Sequence, residues 1–209
     1  MLNSALAVLV SIFLALQQIN AQEAARYSSE AESVFLEGLQ RFKVNDFVGA
    51  NEDFEKVVTQ YPLSQRASAA YLMAAKSLLQ LHRYDESIRL VRDFLSSKSG
   101  SRYFADAHFT LGVGFYLSGR YEPATGEFVR VLESSSEKAL LDKAEPLLES
   151  ICAEHLKAET INRFYQGAVS PQVKFLLALE LSERYAAAGK AEQARALLIP
   201  LVQQYPSGV

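Results

Sequence analysis

Residues 47–54 read FVGANEDF, and the spacing within this segment is the starting point for predicting the fold. An aromatic residue, Phe47, is followed three residues later by the small Ala50 and four residues further on by the apolar Phe54. The same spacing returns in two further copies, each starting 37 residues after the previous one. Those copies are Tyr84, Ser87 and Val91, and then Tyr121, Ala124 and Phe128.

A turn signal stands before each copy of the motif, and an apolar pattern with helical spacing stands before each turn. The turn signals are Asn45-Asp46, His82-Arg83 and Gly119-Arg120. Each copy is therefore predicted to be a helix–turn–helix hairpin. A last copy (Ala191, Ala194, Leu198, after the turn Ala188-Gly189-Lys190) keeps the spacing without the aromatic residue, and a weaker fourth copy contains Ala158, Ile161 and Tyr165.

Two Tyr-Pro pairs support this alignment, because one closes the first copy and the other closes the last. They are Tyr61-Pro62 and Tyr205-Pro206. Proline has no backbone N–H to donate, and it disfavours helical geometry in the preceding residue. The second helices of these two copies are therefore expected to end near Tyr61 and Tyr205.

With this pattern the chain resembles the tetratricopeptide repeat (TPR) family, whose unit is two antiparallel helices with small residues where they cross closely. The matching residues are Gly38, Ala75 and Gly112 on first helices and Ala50, Ala124 and Ala194 on second helices. The resemblance implies an all-α, right-handed α-solenoid of about five hairpins over residues 31–209, with copies starting near 31, 68, 105, 142 and 175. Copy four departs from the pattern, because Glu149 stands at the crossing position.

The N-terminal residues have the layout of a secretory signal peptide. No charged side chain precedes Glu23, the run from Leu6 to Leu16 is almost wholly apolar, and Ala21 supplies a small residue for cleavage. We therefore expect a signal peptide over residues 1–21 and a lead-in over 22–30; an uncleaved membrane anchor is the alternative. No cysteine follows the apolar run, so a lipoprotein anchor is not expected there. The long repeat spacing with Tyr-Pro stops resembles repeat arrays of bacterial envelope proteins, which implies export to the periplasm or the outer-membrane periphery.

Composition and charge leave little room for nucleic-acid binding or catalysis. The 209 residues carry a net charge of −3 without a basic run, which disfavours nucleic-acid partners. The single cysteine, Cys152, is predicted to pack in a helix, and the three histidines are too far apart for a local metal motif. Neither a cofactor nor an enzymatic activity is predicted. Gly112-Val113-Gly114 is interpreted as a helix crossing, and the acidic group Glu52, Asp53 and Glu55 as a solvated helix face.

By analogy with the family, the first helices line a concave face that binds partners. The residues predicted there are apolar and aromatic apart from one lysine: Phe35, Leu39, Phe42, Leu72, Lys76, Leu79, Phe109, Val113 and Tyr116. Such a face suits an amphipathic helix or an extended apolar segment of a protein. The alternative is that these side chains are core, with those of copy one packing under residues 23–33. For copy three both interpretations stay open.

Two functions follow from this pattern. The leading hypothesis is a non-catalytic scaffold of the bacterial cell envelope that holds a protein or peptide on its concave face. The second is an N-terminal accessory module of a larger exported enzyme or solute-binding protein. In both, membrane association is expected only through a partner or an uncleaved signal.

Overall fold

The computed structural model describes residues 27–98 and 100–204, and these ranges contain ten α-helices and no strand. The helices are α1 Ser29–Lys43, α2 Phe47–Gln60, α3 Ala67–Gln80, α4 Tyr84–Ser97, α5 Phe104–Leu117, α6 Tyr121–Ser134, α7 Lys138–Glu154, α8 Ala158–Gly167, α9 Pro171–Ala187 and α10 Ala191–Gln204. The odd-numbered helices are the first helices of the five predicted copies, and the even-numbered ones are the second helices. None of the helices in these ranges has the length and apolar character needed to cross a membrane.

The chain divides into two compact units, with the boundary between Ala74 and Ala75 inside α3. In the first unit α1 packs against α2. In the second unit neighbouring helices pack in chain order from α4 to α7 and from α8 to α10. First helices of successive copies also touch there, α5 with α7 and α7 with α9, so the second unit contains a layer of first helices.

Close helix crossings occur at the predicted small residues. A Cβ added to Gly38 would lie 2.8 Å from Cε1 of Phe54, and a Cβ added to Gly112 would lie 2.8 Å from Cε1 of Phe128. In copy two the hydroxyl of Ser87 donates to the carbonyl oxygen of Ala75 over 2.9 Å, which likewise joins the two helices of the hairpin. The first helix thus exposes its backbone to the second, and the aromatic ring fills the space that a side chain would take.

The four turns between first and second helices share one backbone conformation. The residue with positive φ is Asn45 (64°), His82 (58°), Gly119 (74°) or Gly189 (72°). In each turn the next N–H donates to a carbonyl oxygen five residues earlier, as in the bond from Arg120 to Phe115 of 2.8 Å. These bonds satisfy carbonyls that the helix end leaves free. The left-handed residue therefore gives a common register to copies one, two, three and five.

Replacing Gly119 with alanine is expected to destabilise the protein by about 1–2 kcal/mol, because an L-residue with a Cβ is strained at positive φ. No heavy atom lies within 4 Å of the added Cβ, so the loss would come from backbone conformation rather than from a clash. Gly167→Ala is the matched control, since Gly167 also has open space and lies outside the positive-φ region. Urea unfolding of both variants tests this; equal stabilities would contradict it.

The predicted helix end at the first Tyr-Pro pair is confirmed, since α2 ends at Gln60 and Tyr61 is its C-cap. At the start of α2, Asp46 caps the helix by accepting a hydrogen bond from the backbone N–H of Gly49 over 3.0 Å. The second pair, Tyr205-Pro206, and the predicted signal peptide 1–21 lie outside the described residues.

Copy four departs from the other copies in the structure as well. Its first helix, α7, has 17 residues with Pro146 inside, and its second helix, α8, has only 10. Glu149, at the crossing position, is exposed. The main packing partner of α8 is α9 of the next copy. A charged side chain at the crossing is thus tolerated because α8 does not close onto α7 there.

Candidate functional site: the layer of first helices

The predicted site residues of copy three lie on one side of α5. Phe109, Val113 and Tyr116 are half-buried, whereas Leu111 and Phe115 on the packing side are buried. The ring of Phe109 lies 5.9 Å from that of Phe128, centroid to centroid. Phe109 thus packs against the second helix of its hairpin while part of its surface stays accessible.

Tyr116 continues this aromatic surface toward the turn between α5 and α6. Its ring lies 5.9 Å from the ring of Tyr121. Tyr121 in turn stacks on the imidazole of His155, with centroids 3.7 Å apart and the rings nearly parallel at 4°. The two aromatic site residues of α5, Phe109 and Tyr116, are therefore held by rings of α6, which lowers the entropy lost when a partner binds them.

In copies one and two, three of the predicted site residues belong to the core. Phe35 is 5% exposed, Leu72 3% and Leu79 7%. The burial of Phe35 agrees with the alternative interpretation. Its ring meets the ring of Phe54 at 5.5 Å and the guanidinium of Arg66 at 5.1 Å, and residues 23–26 of the expected covering segment lie outside the described residues. The other three residues are half-buried, namely Leu39, Phe42 and Lys76.

The turn register explains this difference between copies. The residue ten positions before the left-handed turn residue is Phe35, Leu72, Phe109 or Leu179 in copies one, two, three and five. We call this the groove position. The first two of these side chains are buried, Phe109 is half-buried, and Leu179 is 42% exposed. Equivalent apolar residues thus become accessible only in the second unit.

Sequence reasoning missed Phe175 and Leu179, which lie one turn apart on α9. Together with Leu176 and the carboxylates Glu145, Glu149 and Glu180 they line a cleft of about 220 Å³ between α7 and α9. Leu179 could have been located from the sequence, because it precedes Gly189 by ten residues, as Phe109 precedes Gly119.

The histidines are all engaged within the chain. Nδ1 of His108, which is buried, lies 2.6 Å from Oε2 of Glu127. Nδ1 of His82 lies 2.6 Å from the Tyr84 hydroxyl, and His155 stacks on Tyr121. Among the described residues no three His, Cys, Asp or Glu side chains are placed to hold a metal ion.

Cys152 is buried in α7, as predicted, and it is not an activated thiol. Burial raises its pKa to about 12; Glu180 adds to the shift and Arg184 opposes part of it. A thiol must be ionised to act as a nucleophile, so this side chain is inert near neutral pH.

The acidic group on α2 is only partly a solvated face. Glu52 and Glu55 are exposed, but Asp53 is half-buried and faces α1, where its Oδ2 lies 3.1 Å from Nε of Arg41. Burial raises the pKa of the Asp53 carboxyl, and the nearby Arg41 charge offsets only part of that shift. The interpretation of Asp53 as solvated was wrong, because the pattern within one helix does not contain the partner on the neighbouring helix.

Helical hairpins with small crossing residues, a shared left-handed turn and touching first helices define an all-α, TPR-like repeat protein. Residues 26–137 match the family YfiO, described as "Outer membrane lipoprotein", and because this match covers more than half of the 209 residues, the chain belongs to that family. Families with this fold are generally non-catalytic scaffolds for protein interactions.

Comparison with solved structures supports the same fold. The crystal structure of MamA protein, which is a TPR-repeat protein, matches with a TM-score of 0.53 at 15% sequence identity, over 86% of this chain and 94% of MamA. At this identity the match supports the fold only. A search of curated proteins gave no match.

The family description bears on Cys152, the one cysteine in the sequence. A lipid-bearing cysteine must present its sulfur to the membrane, whereas Cys152 is buried within α7. Acylation at this position would require local unfolding of the helix.

Proposed function

We propose that the protein is a non-catalytic scaffold of the bacterial cell envelope that binds a segment of a partner protein on its layer of first helices. The observation that carries the proposal is the exposure at the groove position, which rises from buried in copies one and two to half-buried at Phe109 and 42% at Leu179. Apolar side chains that remain accessible on touching first helices suit an amphipathic helix or an extended apolar segment.

The proposed location rests on the family and on the N-terminal sequence. The family description names the outer membrane, and the first 21 residues have the layout of a signal peptide. We place a signal peptide at 1–21, a lead-in at 22–30 and the TPR-like array at 31–209. The proposed compartment is the periplasm or the periphery of the outer membrane.

Export predicts that the mature protein recovered from its host begins at Gln22. Signal peptidases cut after a small residue that follows an apolar run, and Ala21 is that residue. N-terminal sequencing of the protein from the fractionated envelope is the measurement. Recovery of Met1 in the membrane fraction would support the uncleaved anchor instead.

The binding role of α5 predicts that Tyr116→Ala weakens partner binding by about 1–2 kcal/mol, as expected for an aromatic interface residue. Its melting temperature is expected to change little, because the ring is only half-buried. Phe109→Ala is expected to weaken binding similarly and to cost some stability as well, since Phe109 also contacts Phe128. Tyr165→Ala, a half-buried tyrosine on the second helix α8, is the matched control.

The partner needed for that isotherm can be identified by photo-crosslinking in the host. A photoreactive amino acid replaces Val113 on α5, or Arg130 on α6 as the control, because Arg130 is exposed on a second helix. The proposal expects a discrete protein adduct from position 113 and none from position 130. Loss of stability in Tyr116→Ala with unchanged binding per folded molecule would assign this face to the core and contradict the proposal.

A further inference from the structure

The cleft between α7 and α9 has an apolar floor that is open to solvent. Phe175, Leu176 and Leu179 form this floor, and the cleft holds about 220 Å³. Leu176 is buried, Phe175 is half-buried and Leu179 is 42% exposed. The two helices that carry the cleft touch each other within the second unit. The space is therefore sufficient for one or two apolar side chains of a partner.

Carboxylates surround this floor on both helices. Glu145 and Glu149 lie one turn apart on α7, and Glu180 faces them from α9. The side-chain amide of Gln172 donates to Oε2 of Glu145 over 3.2 Å and holds that carboxylate at the rim. Neither Glu149 nor Glu180 forms an ion pair with any residue of the described ranges.

The rim therefore carries negative charge that no ion pair among the described residues neutralises. Burial raises the pKa of Glu180, and repulsion from Glu183 and Glu149 raises it further, while Arg184 lowers it. Arg184 is engaged elsewhere, since its guanidinium donates to the carbonyl oxygens of Cys152 and Ala153 at the end of α7. A cation entering the cleft would remove the repulsion between these carboxylates.

Several acidic side chains elsewhere in the chain have a cationic partner on another element, and Glu133 instead accepts hydrogen bonds from the backbone N–H groups of Val169 and Ser170. The carboxylate of Glu32 lies 2.5 Å from Arg66, that of Asp85 lies 2.7 Å from Arg120, and that of Glu122 lies 2.5 Å from Arg163. The rim of the cleft lacks such partners in the described residues, and it surrounds apolar side chains rather than solvent. The lack of cationic partners and the apolar floor inside the rim are both explained if another molecule supplies the cation.

We propose that this cleft binds a cationic amphipathic helix of a partner protein, with apolar side chains on Phe175 and Leu179 and with Lys or Arg beside Glu149 and Glu180. The inference rests on the proposed function, because it places the partner on the same layer of first helices, and it adds the charge of the partner. A helix presents apolar and cationic residues side by side on one face, which matches an apolar floor with a charged rim. The chain's own apolar run over residues 6–16 contains no Lys or Arg, so it does not offer such a side chain to the rim.

The test uses the full chain and two synthetic helical peptides. One presents leucines on one face with arginines beside them; its twin carries glutamate in place of each arginine. Fluorescence anisotropy is expected to show binding of the cationic peptide at least about tenfold tighter than its twin, and weaker at high salt. Glu149→Gln/Glu180→Gln is expected to weaken binding of the cationic peptide about tenfold. Leu179→Ala is expected to weaken its binding as well.

The matched control is Glu52→Gln/Glu159→Gln, which changes the net charge equally at two exposed carboxylates that do not line the cleft. This control is expected to bind as the parent chain does, and melting curves check that every variant is folded. Equal binding of both peptides, or unchanged binding by the Glu149→Gln/Glu180→Gln variant, overturns the inference.

Self-association that the same double variant abolishes, measured by sedimentation, would also overturn it by making a second copy the occupant. The two proposals fail separately. Cationic peptide binding that depends on the cleft but not on Tyr116 keeps this inference and removes α5 from the binding face. Crosslinking at position 113 without a charge preference between the peptides keeps the binding role of α5 and removes this inference.

Discussion

Phe128→Ala is expected to lower the free energy of unfolding by about 3–5 kcal/mol, the loss typical of a fully buried phenylalanine. The Phe128 side chain is 0% exposed, and its ring covers the backbone of Gly112 where α5 and α6 cross. Removing the ring opens a cavity against a glycine, which has no side chain that could fill it. Urea unfolding followed by far-UV circular dichroism measures the change.

Leu117→Ala on α5 is the control for this substitution, because Leu117 is 44% exposed and its truncation removes little buried surface. Its cost is expected to stay within about 0.5 kcal/mol, as for most surface substitutions. If Phe128→Ala lost no more than Leu117→Ala, the ring would not be part of the core of this hairpin.

The hairpins could be predicted from the sequence because the information is local. The spacing of Phe47, Ala50 and Phe54, its return after 37 residues and the turn before each copy all lie within short windows of the chain. The structure confirms the helix pairs, and it places Gly38 and Gly112 at close crossings. A glycine against which an aromatic ring packs can be recognised in the sequence, since a residue with a side chain does not fit there.

The candidate surface could be predicted only in part, because burial depends on what covers a helix from outside it. Phe35 and Phe109 occupy the same groove position and follow the same helical pattern, yet Phe35 is covered by Phe54 and Arg66 while Phe109 stays half-buried. The cleft needs two helices, α7 and α9, whose sequences are separate. Glu149 was visible as a departure from the repeat, but its position beside Phe175 and Leu179 was not.

Gly112→Leu is expected to destabilise the protein by about 1–3 kcal/mol or more, the cost of overpacking a close contact. A Cβ at this position would already lie 2.8 Å from Cε1, 3.0 Å from Cδ1 and 3.1 Å from Cζ of Phe128. The rest of a leucine side chain would have to enter the space that the ring occupies, so α5 and α6 must separate. Thermal unfolding measures the loss, and binding per folded molecule separates it from an effect on the partner surface.

Gly112→Ala and Gly126→Ala form a matched pair whose effects are expected to have opposite signs. Both glycines lie inside helices, where alanine gains about 0.5–1 kcal/mol from backbone propensity. At Gly126 the nearest atom to the new Cβ is 3.8 Å away, on Phe164, so this gain is expected to appear as added stability. At Gly112 the close contact of the new Cβ with Phe128 should outweigh the gain from backbone propensity. Phe128→Leu should reduce the cost of Gly112→Ala by making room for the new methyl group, and additive losses in this double-mutant cycle would contradict the proposed crossing.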